Sequence, residues 1–160
     1  MGQVLKDFYN GWAGTVSRQK DDVIISLKNS GGAVIPYGAP VFMKAPDTGV
    51  RLFNSATHTA DDFVGFAVRI PDKTPETYGS AQGEWPRYGN VDILVRGSIS
   101  IRLATASRAT DKVYIRKSDS LLTTLPGNEG TTVELPNVRC RGNRDSNEIA
   151  EVVVTKRNLQ

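Results

Sequence analysis

The stretch Val91-Asp92-Ile93-Leu94-Val95-Arg96-Gly97-Ser98-Ile99-Ser100-Ile101-Arg102-Leu103 decides the fold. Before the glycine, Val91, Ile93 and Val95 share one side of an extended chain, and Asp92, Leu94 and Arg96 share the other. After it, Ile99, Ile101 and Leu103 alternate with Ser98, Ser100 and Arg102. A repeat of two is the side-chain geometry of a half-buried strand. A glycine inside such a pattern marks a bulge or a tight bend. The expectation is a strand, a bend at Gly97 and a second strand.

Upstream lies a second apolar-alternating segment, Phe63 to Ile70, separated from the first by a polar insert from Pro71 to Asn90. The insert carries breakers (Pro71, Pro75, Gly79, Gly83, Pro86 and Gly89) and the rings of Tyr78, Trp85 and Tyr88. It is longer than the usual connection of about 2 to 6 residues, which is typical of a functional surface loop or a disordered one; the aromatics favour the former. Further upstream, Val23, Ile25 and Leu27 alternate with Ile24, Ser26 and Lys28, and Asn29-Ser30-Gly31-Gly32 supplies a turn into a return strand from Ala33. Pro36 and Pro40 exclude a helix and a central strand, leaving a turn or a sheet edge. Short strands are expected at 50–53, 112–116, 121–125, 131–135, 137–141 and 148–155, with turns at Pro126-Gly127-Asn128 and Gly142-Asn143.

No segment shows the 3.6-residue repeat of an amphipathic helix. Short strands punctuated by Gly, Pro and Asn describe an all-β, antiparallel β-sandwich or barrel, jelly-roll-like. Residues 1–20 are expected as an extended N-terminal arm, and 21–160 as a single β domain with the long loop insert 71–90. The arm holds Phe8, Tyr9 and Trp12 among glycines, and such rings either tuck under the domain or bury against a partner.

The chain of 160 residues is 39% hydrophobic, enough for one domain with a modest core. Its 20 basic and 17 acidic residues give a net charge of +3 and are scattered, which is too weak a bias to imply nucleic acid. Cys140 is the only cysteine, so an intramolecular disulfide is impossible, and a small buried thiol is expected. There is neither a membrane-length apolar run nor a basic-then-apolar leader, and folding in a cytosol is expected.

Chemistry is sparse. His58, the only histidine, has Asp61 and Asp62 nearby but no matching nucleophile motif, and a lone loop histidine is more often structural. One His and one Cys make a zinc site unusual, and no calcium loop, phosphate loop or dinucleotide turn is present. Arg139, Arg141 and Arg144 form a basic cluster that a nucleic-acid-binding barrel could use, but the aromatics lie far away in sequence. A solvated strand face paired with Asp145 and Glu148 is the simpler account. No catalytic residue, cofactor or metal is expected.

The order of glycine-punctuated strands carries a resemblance. Gly14-Thr15-Val16 precedes the first strand, followed by Ile35-Pro36-Tyr37-Gly38-Ala39-Pro40-Val41, Val64-Gly65-Phe66-Ala67-Val68, the run from Tyr88 to Ile101, and Asp111-Lys112-Val113-Tyr114-Ile115. From about Gly14 to Thr155 the chain resembles the capsid cement, or decoration, proteins of tailed bacteriophages.

The resemblance implies a virion structural protein, not an enzyme. Such a protein binds the outer surface of the head, bridges neighbouring major capsid protein subunits and stabilises the shell against DNA pressure. It implies assembly in the bacterial host cytoplasm and a homo-dimer or homo-trimer on the lattice, with no membrane and no direct nucleic-acid contact. Phe8, Tyr9 and Trp12 on the arm, with Trp85 and Tyr88 on the insert, are the candidate capsid-contact anchors.

Overall fold

In the computed structural model, residues 10–70 and 83–158 are described, apart from the side chains of Gln19 and Lys20. In chain order the strands are β1 (Val16–Lys28), β2 (Ile35–Pro36), β3 (Pro40–Phe42), β4 (Phe63–Ala67), β5 (Glu84–Trp85), β6 (Asn90–Arg102), β7 (Lys112–Arg116), β8 (Leu122–Thr123), β9 (Thr132–Cys140) and β10 (Ile149–Val154). A short 3-10 turn, Ala60–Asp62, precedes β4. Eight strands form one antiparallel sheet in the order β3-β4-β6-β10-β9-β7-β8, with β1 added on β6, while β2 and β5 form a separate ribbon. The large sheet curls into a half-barrel, so the expected all-β architecture is realised in its barrel form.

The strand quoted first is the hub. β4 pairs with its first half (Phe66↔Leu94, Ala67↔Ile93), β10 with its second (from Val154↔Gly97 to Ile149↔Arg102), and β1 pairs along both. Both faces are buried. Val91, Ile93 and Val95 join a core with Ile35, Tyr37, Val41 and Trp85. Leu94, Ile99, Ile101 and Leu103 join a second core with Phe42, Phe63, Phe66, Val138 and Val152.

Odd positions therefore face one core before Gly97 and the other core after it. A regular strand keeps alternate residues on one face, so the strand must turn over at this point. Gly97 makes the turn with φ +121°, a region rarely open to other residues. The neighbouring strand accommodates it with a bulge. Arg18 pairs with Ser98 and Val23 with Arg96, so residues 19–22 bulge away from the ladder and Asp22 lies where a Cβ on residue 97 would project. Asp22 Oδ2 is buried there with no hydrogen-bond partner among the described residues. Burial raises the Asp22 carboxyl above the usual range, against a lowering hydrogen bond with the Ser98 backbone. The bend expected at Gly97 is real, but β6 remains one continuous strand.

Several local expectations are corrected by long-range pairing. The strand β1 begins at Val16, inside the segment expected as an arm, because β6 offers Ser98 and Ile99 as partners. Asn29 to Gly32 do not close a local hairpin: β2 pairs with β5 (Ile35↔Trp85), and Asn29 is buried with its Nδ2 donating to the carbonyls of Ala33 and Pro86. Residues 131–135 and 137–141 belong to one strand, β9. Pro136 lacks an N–H and Asn137 takes φ +62°, so the pairing jumps from Tyr114↔Glu134 to Lys112↔Arg139 across a bulge instead of ending. Val50 and Arg51 form isolated bridges only. As expected of its prolines, 36–40 is a turn leading into β3, at one end of the sheet.

Gly97→Ala is expected to destabilise the fold by roughly 2 to 3 kcal/mol, because it combines a disfavoured φ with a clash against Asp22. Urea unfolding should show a lower midpoint at unchanged slope; an unchanged midpoint would mean the turnover does not depend on glycine.

Candidate functional site

The polar residues with catalytic or ligand potential are occupied by the fold. His58 is buried, stacked on Phe42 at 5.4 Å and 11°, and its Nδ1 accepts the Asn54 backbone N–H at 3.0 Å. Burial pushes the imidazole below its usual range, more strongly than the Asp62 charge raises it. Asp62 turns away to cap its own 3-10 turn, accepting from Thr59 N and Oγ1. His58 thus closes the loop before β4 and packs an aromatic cluster with Phe42, Phe53 and Phe63. Cys140 is buried, and burial raises its thiol to about 11.

The arginines expected as a basic cluster are likewise engaged. Arg141 Nε donates to Ser98 Oγ at 2.8 Å and lies 3.7 Å from Glu151, while Arg139 lies 3.9 Å from Glu134. Arg144 donates to the Leu103 carbonyl at 3.0 Å. Their acidic partners are Glu151 and Glu134, not the Asp145 and Glu148 expected from sequence proximity, because strand pairing sets the neighbours. Glu151 also accepts from Arg18 and Ser17 across β6. Burial alone would raise its carboxyl; those hydrogen bonds and the charges of Arg18 and Arg141 outweigh it and hold it below the usual range. Among the described residues, no group of three or more His, Cys, Asp or Glu is arranged to hold a metal. Two surface hollows among the described residues, about 400 and 610 Å³, are open and lined mainly by small or polar residues.

A different feature organises one end of the half-barrel. The N-terminal segment is tied down from Asn10 onward: its N–H donates to Asp145 Oδ2 at 2.8 Å, its Nδ2 to the carbonyls of Asn143 and Ile149, and its carbonyl accepts from Ser100 Oγ. Gly14 then donates to the Ser100 carbonyl and accepts from Arg69 N–H, both at 2.8 Å. Its φ of +82° and its close approach to the Gly38 N, 2.8 Å from a hypothetical Cβ, explain the glycine. Arg69, two residues before the insert begins at Pro71, sits over the Trp12 ring at 5.7 Å. On the return, the Tyr37 N–H donates to the Gly83 carbonyl at 2.9 Å, beside Gly38. The arm and the insert are therefore rooted side by side.

The candidate anchors divide by burial. Trp12 is 54% and Tyr88 is 65% exposed, and Tyr88 is held outward by a backbone φ of +58°. Trp85 is only 6% exposed: its indole N–H donates to the Val68 carbonyl at 2.9 Å, and its ring meets Tyr37 edge-on at 6.2 Å. It caps the core and fixes the base of the insert. Phe8 and Tyr9 lie outside the described residues.

Two adjoining aromatic segments rooted on one body fit the comparison that decides the matter: residues 3–155 match the structural cement protein family (E217 gp24/Pam3 gp6). The chain belongs to this phage structural cement protein family. Among solved structures it is similar to a chain of the capsid of Myoviridae phage XM1, with a TM-score of 0.71, 17% identity and 96% coverage of both chains. At that identity the likeness concerns the fold. No curated protein matches. Membership of the cement family makes this a virion structural protein.

Two outcomes test the structural roles of the buried groups. Because folding lowers the His58 pKa, the unfolded chain takes up a proton first as pH falls through about 6.5, so the stabilising contribution of neutral His58 is lost in that interval. The stability difference between the native protein and His58→Gln should shrink from pH 7.5 to 5.5; a constant difference would contradict the assignment. Cys140 should resist thiol reagents in the folded protein and react on unfolding, which a colorimetric thiol titration measures.

Proposed function

We propose that this cement protein binds the outer surface of a phage head, bridges neighbouring major capsid protein subunits and holds the shell against the pressure of packaged DNA. The observation supporting this reading is the common root of the arm and the insert at Gly14, Arg69, Gly38 and Gly83, which brings Trp12 beside the point from which the insert departs. Exposed aromatic rings on a rigid support are the residues that carry most interface energy when buried in a partner's groove. Trp12 and Tyr88 act as direct anchors here, and Trp85 acts by fixing the insert's base. Phe8 and Tyr9, outside the described residues, are proposed as anchors from the sequence alone.

Repetition supplies the strength. Many copies on one lattice act together through effective concentration, so modest individual contacts suffice. A homo-dimer or homo-trimer suits the local symmetry axes of an icosahedral shell. The protein assembles with heads in the host cytoplasm and uses neither membrane nor cofactor. Nucleic acid is not a partner in this reading, since Arg139, Arg141 and Arg144 are committed within the sheet.

Heads lacking the protein, sedimented after adding it back, provide the test. The native chain should co-sediment and raise the temperature at which heads rupture. Removing residues 1–9 keeps the ties that Asn10 makes to the body, so it should leave the thermal unfolding of the isolated protein unchanged and should weaken head retention. Removing residues 1–13 would also cut those ties and lower stability. Trp12→Ala and Tyr88→Ala should each weaken binding roughly 10-fold, about 1.4 kcal/mol. Heads that neither retain the native protein nor gain heat resistance would exclude the cement role.

A further inference from the structure

Asn10-Gly11 is the only Asn-Gly pair in the chain. In such a pair the backbone nitrogen of the second residue can reach the side-chain amide carbon of the first, because glycine has no Cβ to obstruct the approach. The pair stands where the N-terminal segment is tied to the body. Asn10 Nδ2 donates to the carbonyls of Asn143 at 3.0 Å and Ile149 at 2.8 Å, its N–H donates to Asp145 Oδ2, and its carbonyl accepts from Ser100 Oγ. Gly11 is exposed, and a Cβ on it would meet only Ser100 Oγ, at 3.9 Å, so water has access to the pair.

These ties require an amide. Nδ2 faces two acceptors, and the carboxylate of Asp145, whose other oxygen is engaged by the N–H groups of Asn147 and Ile149, accepts from the backbone of the same residue. A carboxylate at position 10 has no proton to give either carbonyl and adds a like charge beside Asp145. The same ties restrain the reaction that would create it. In deamidation Nδ2 is the leaving group, and its departure breaks both of the hydrogen bonds it donates.

We propose that Asn10 is a site of spontaneous deamidation gated by this latch: shielded while residues 10–14 are docked, converted when they open, and unable to dock again afterwards. The Gly11 nitrogen gives its proton to solvent and bonds to Asn10 Cγ. The Cγ–Nδ2 bond breaks, and Nδ2 takes a proton from water and leaves as ammonia. Water then adds to one carbonyl of the resulting succinimide, the C–N bond at that carbonyl breaks, and the ring nitrogen regains its proton. Opening at Cγ leaves aspartate; opening at the backbone carbonyl leaves isoaspartate, with an extra methylene in the main chain. The net change is amide plus water to acid plus ammonia, with no oxidation or reduction. Either product loses both donated bonds. Isoaspartate also lengthens the path to Gly14, whose close approach to Gly38 fixes where that path ends.

The test uses the full chain in mildly alkaline buffer, with peptide mass mapping and isoaspartate detection. Asn29 and Asn54, each followed by serine, serve as internal references. In guanidinium chloride Asn10 should convert ahead of both; in the folded chain its rate should fall by roughly 10-fold or more. Ser100→Ala removes one tie and leaves the backbone ladder in place. It should speed conversion in the folded chain roughly 5-fold and leave the rate in denaturant unchanged. The converted chain, and Asn10→Asp made directly, should keep the β circular-dichroism spectrum and lose hydrogen-exchange protection at Gly14, whose N–H bonds to the Ser100 carbonyl. Equal rates in folded and unfolded chains, a folded rate indifferent to Ser100→Ala, or full protection of Gly14 after conversion would each overturn the proposal. The experiment needs no capsid, so its outcome is separate from that of the cement reading.

Discussion

The half-barrel depends on one strand being buried on both faces and paired along both edges. β6 contributes to two cores at once, and it can do so because the chain turns over at Gly97. Were the alternation to continue unbroken, Ile99, Ile101 and Leu103 would project toward the core containing Trp85, and the core around Phe63 and Phe66 would lose three of its largest side chains. The turn has a cost. Residues 19–22 leave the ladder, and an Asp22 oxygen is buried without a partner. Apolar burial on both sides of the strand, at roughly 25 cal/mol per Å², outweighs one unmade hydrogen bond.

That constraint also positions the end proposed for capsid contact. Ser100, on the second half of β6, holds Asn10, Gly14 and Thr15, and so sets where the N-terminal segment leaves the body. The first half carries β4 and, through Val68 and Arg69, the departure of the insert. A strand that changes neighbour halfway along thus brings together two segments far apart in sequence. The close approach of Gly14 and Gly38 locks them, with no room for a side chain on either.

A virion structural protein requires little chemistry from its polar residues, and several here are spent on holding the sheet. His58 completes an aromatic cluster, Glu151 gathers Arg18 and Arg141 across three strands, and Asp145 receives the N-terminal segment through Asn10. Groups committed this way stiffen the body against deformation. Among the described residues, the rings of Trp12 and Tyr88 remain exposed.

Local pattern alone determined a good deal. Period-2 alternation marked β4, β6 and the second part of β1; turn residues bounded a short strand at 112–116; the prolines at 36 and 40 marked a turn or sheet edge; Gly97 marked the site of a bend; and scattered charge with a single His and Cys pointed away from catalysis. These are properties of neighbouring residues, which is why they are legible in one dimension. Tertiary structure decided the rest. Whether Asn29 to Gly32 close a hairpin depended on β6 outcompeting a local return strand, and the continuity of β9 through Pro136 depended on β10 and β7 flanking it. The partners of Arg139 and Arg141 were set by cross-strand register, not by proximity along the chain. Trp85 and Tyr88, three residues apart and alike in composition, went to opposite fates: one reached the Val68 carbonyl and the core, and the other was turned outward by its backbone. Burial is settled by what lies opposite a residue in space, and only the folded chain supplies that.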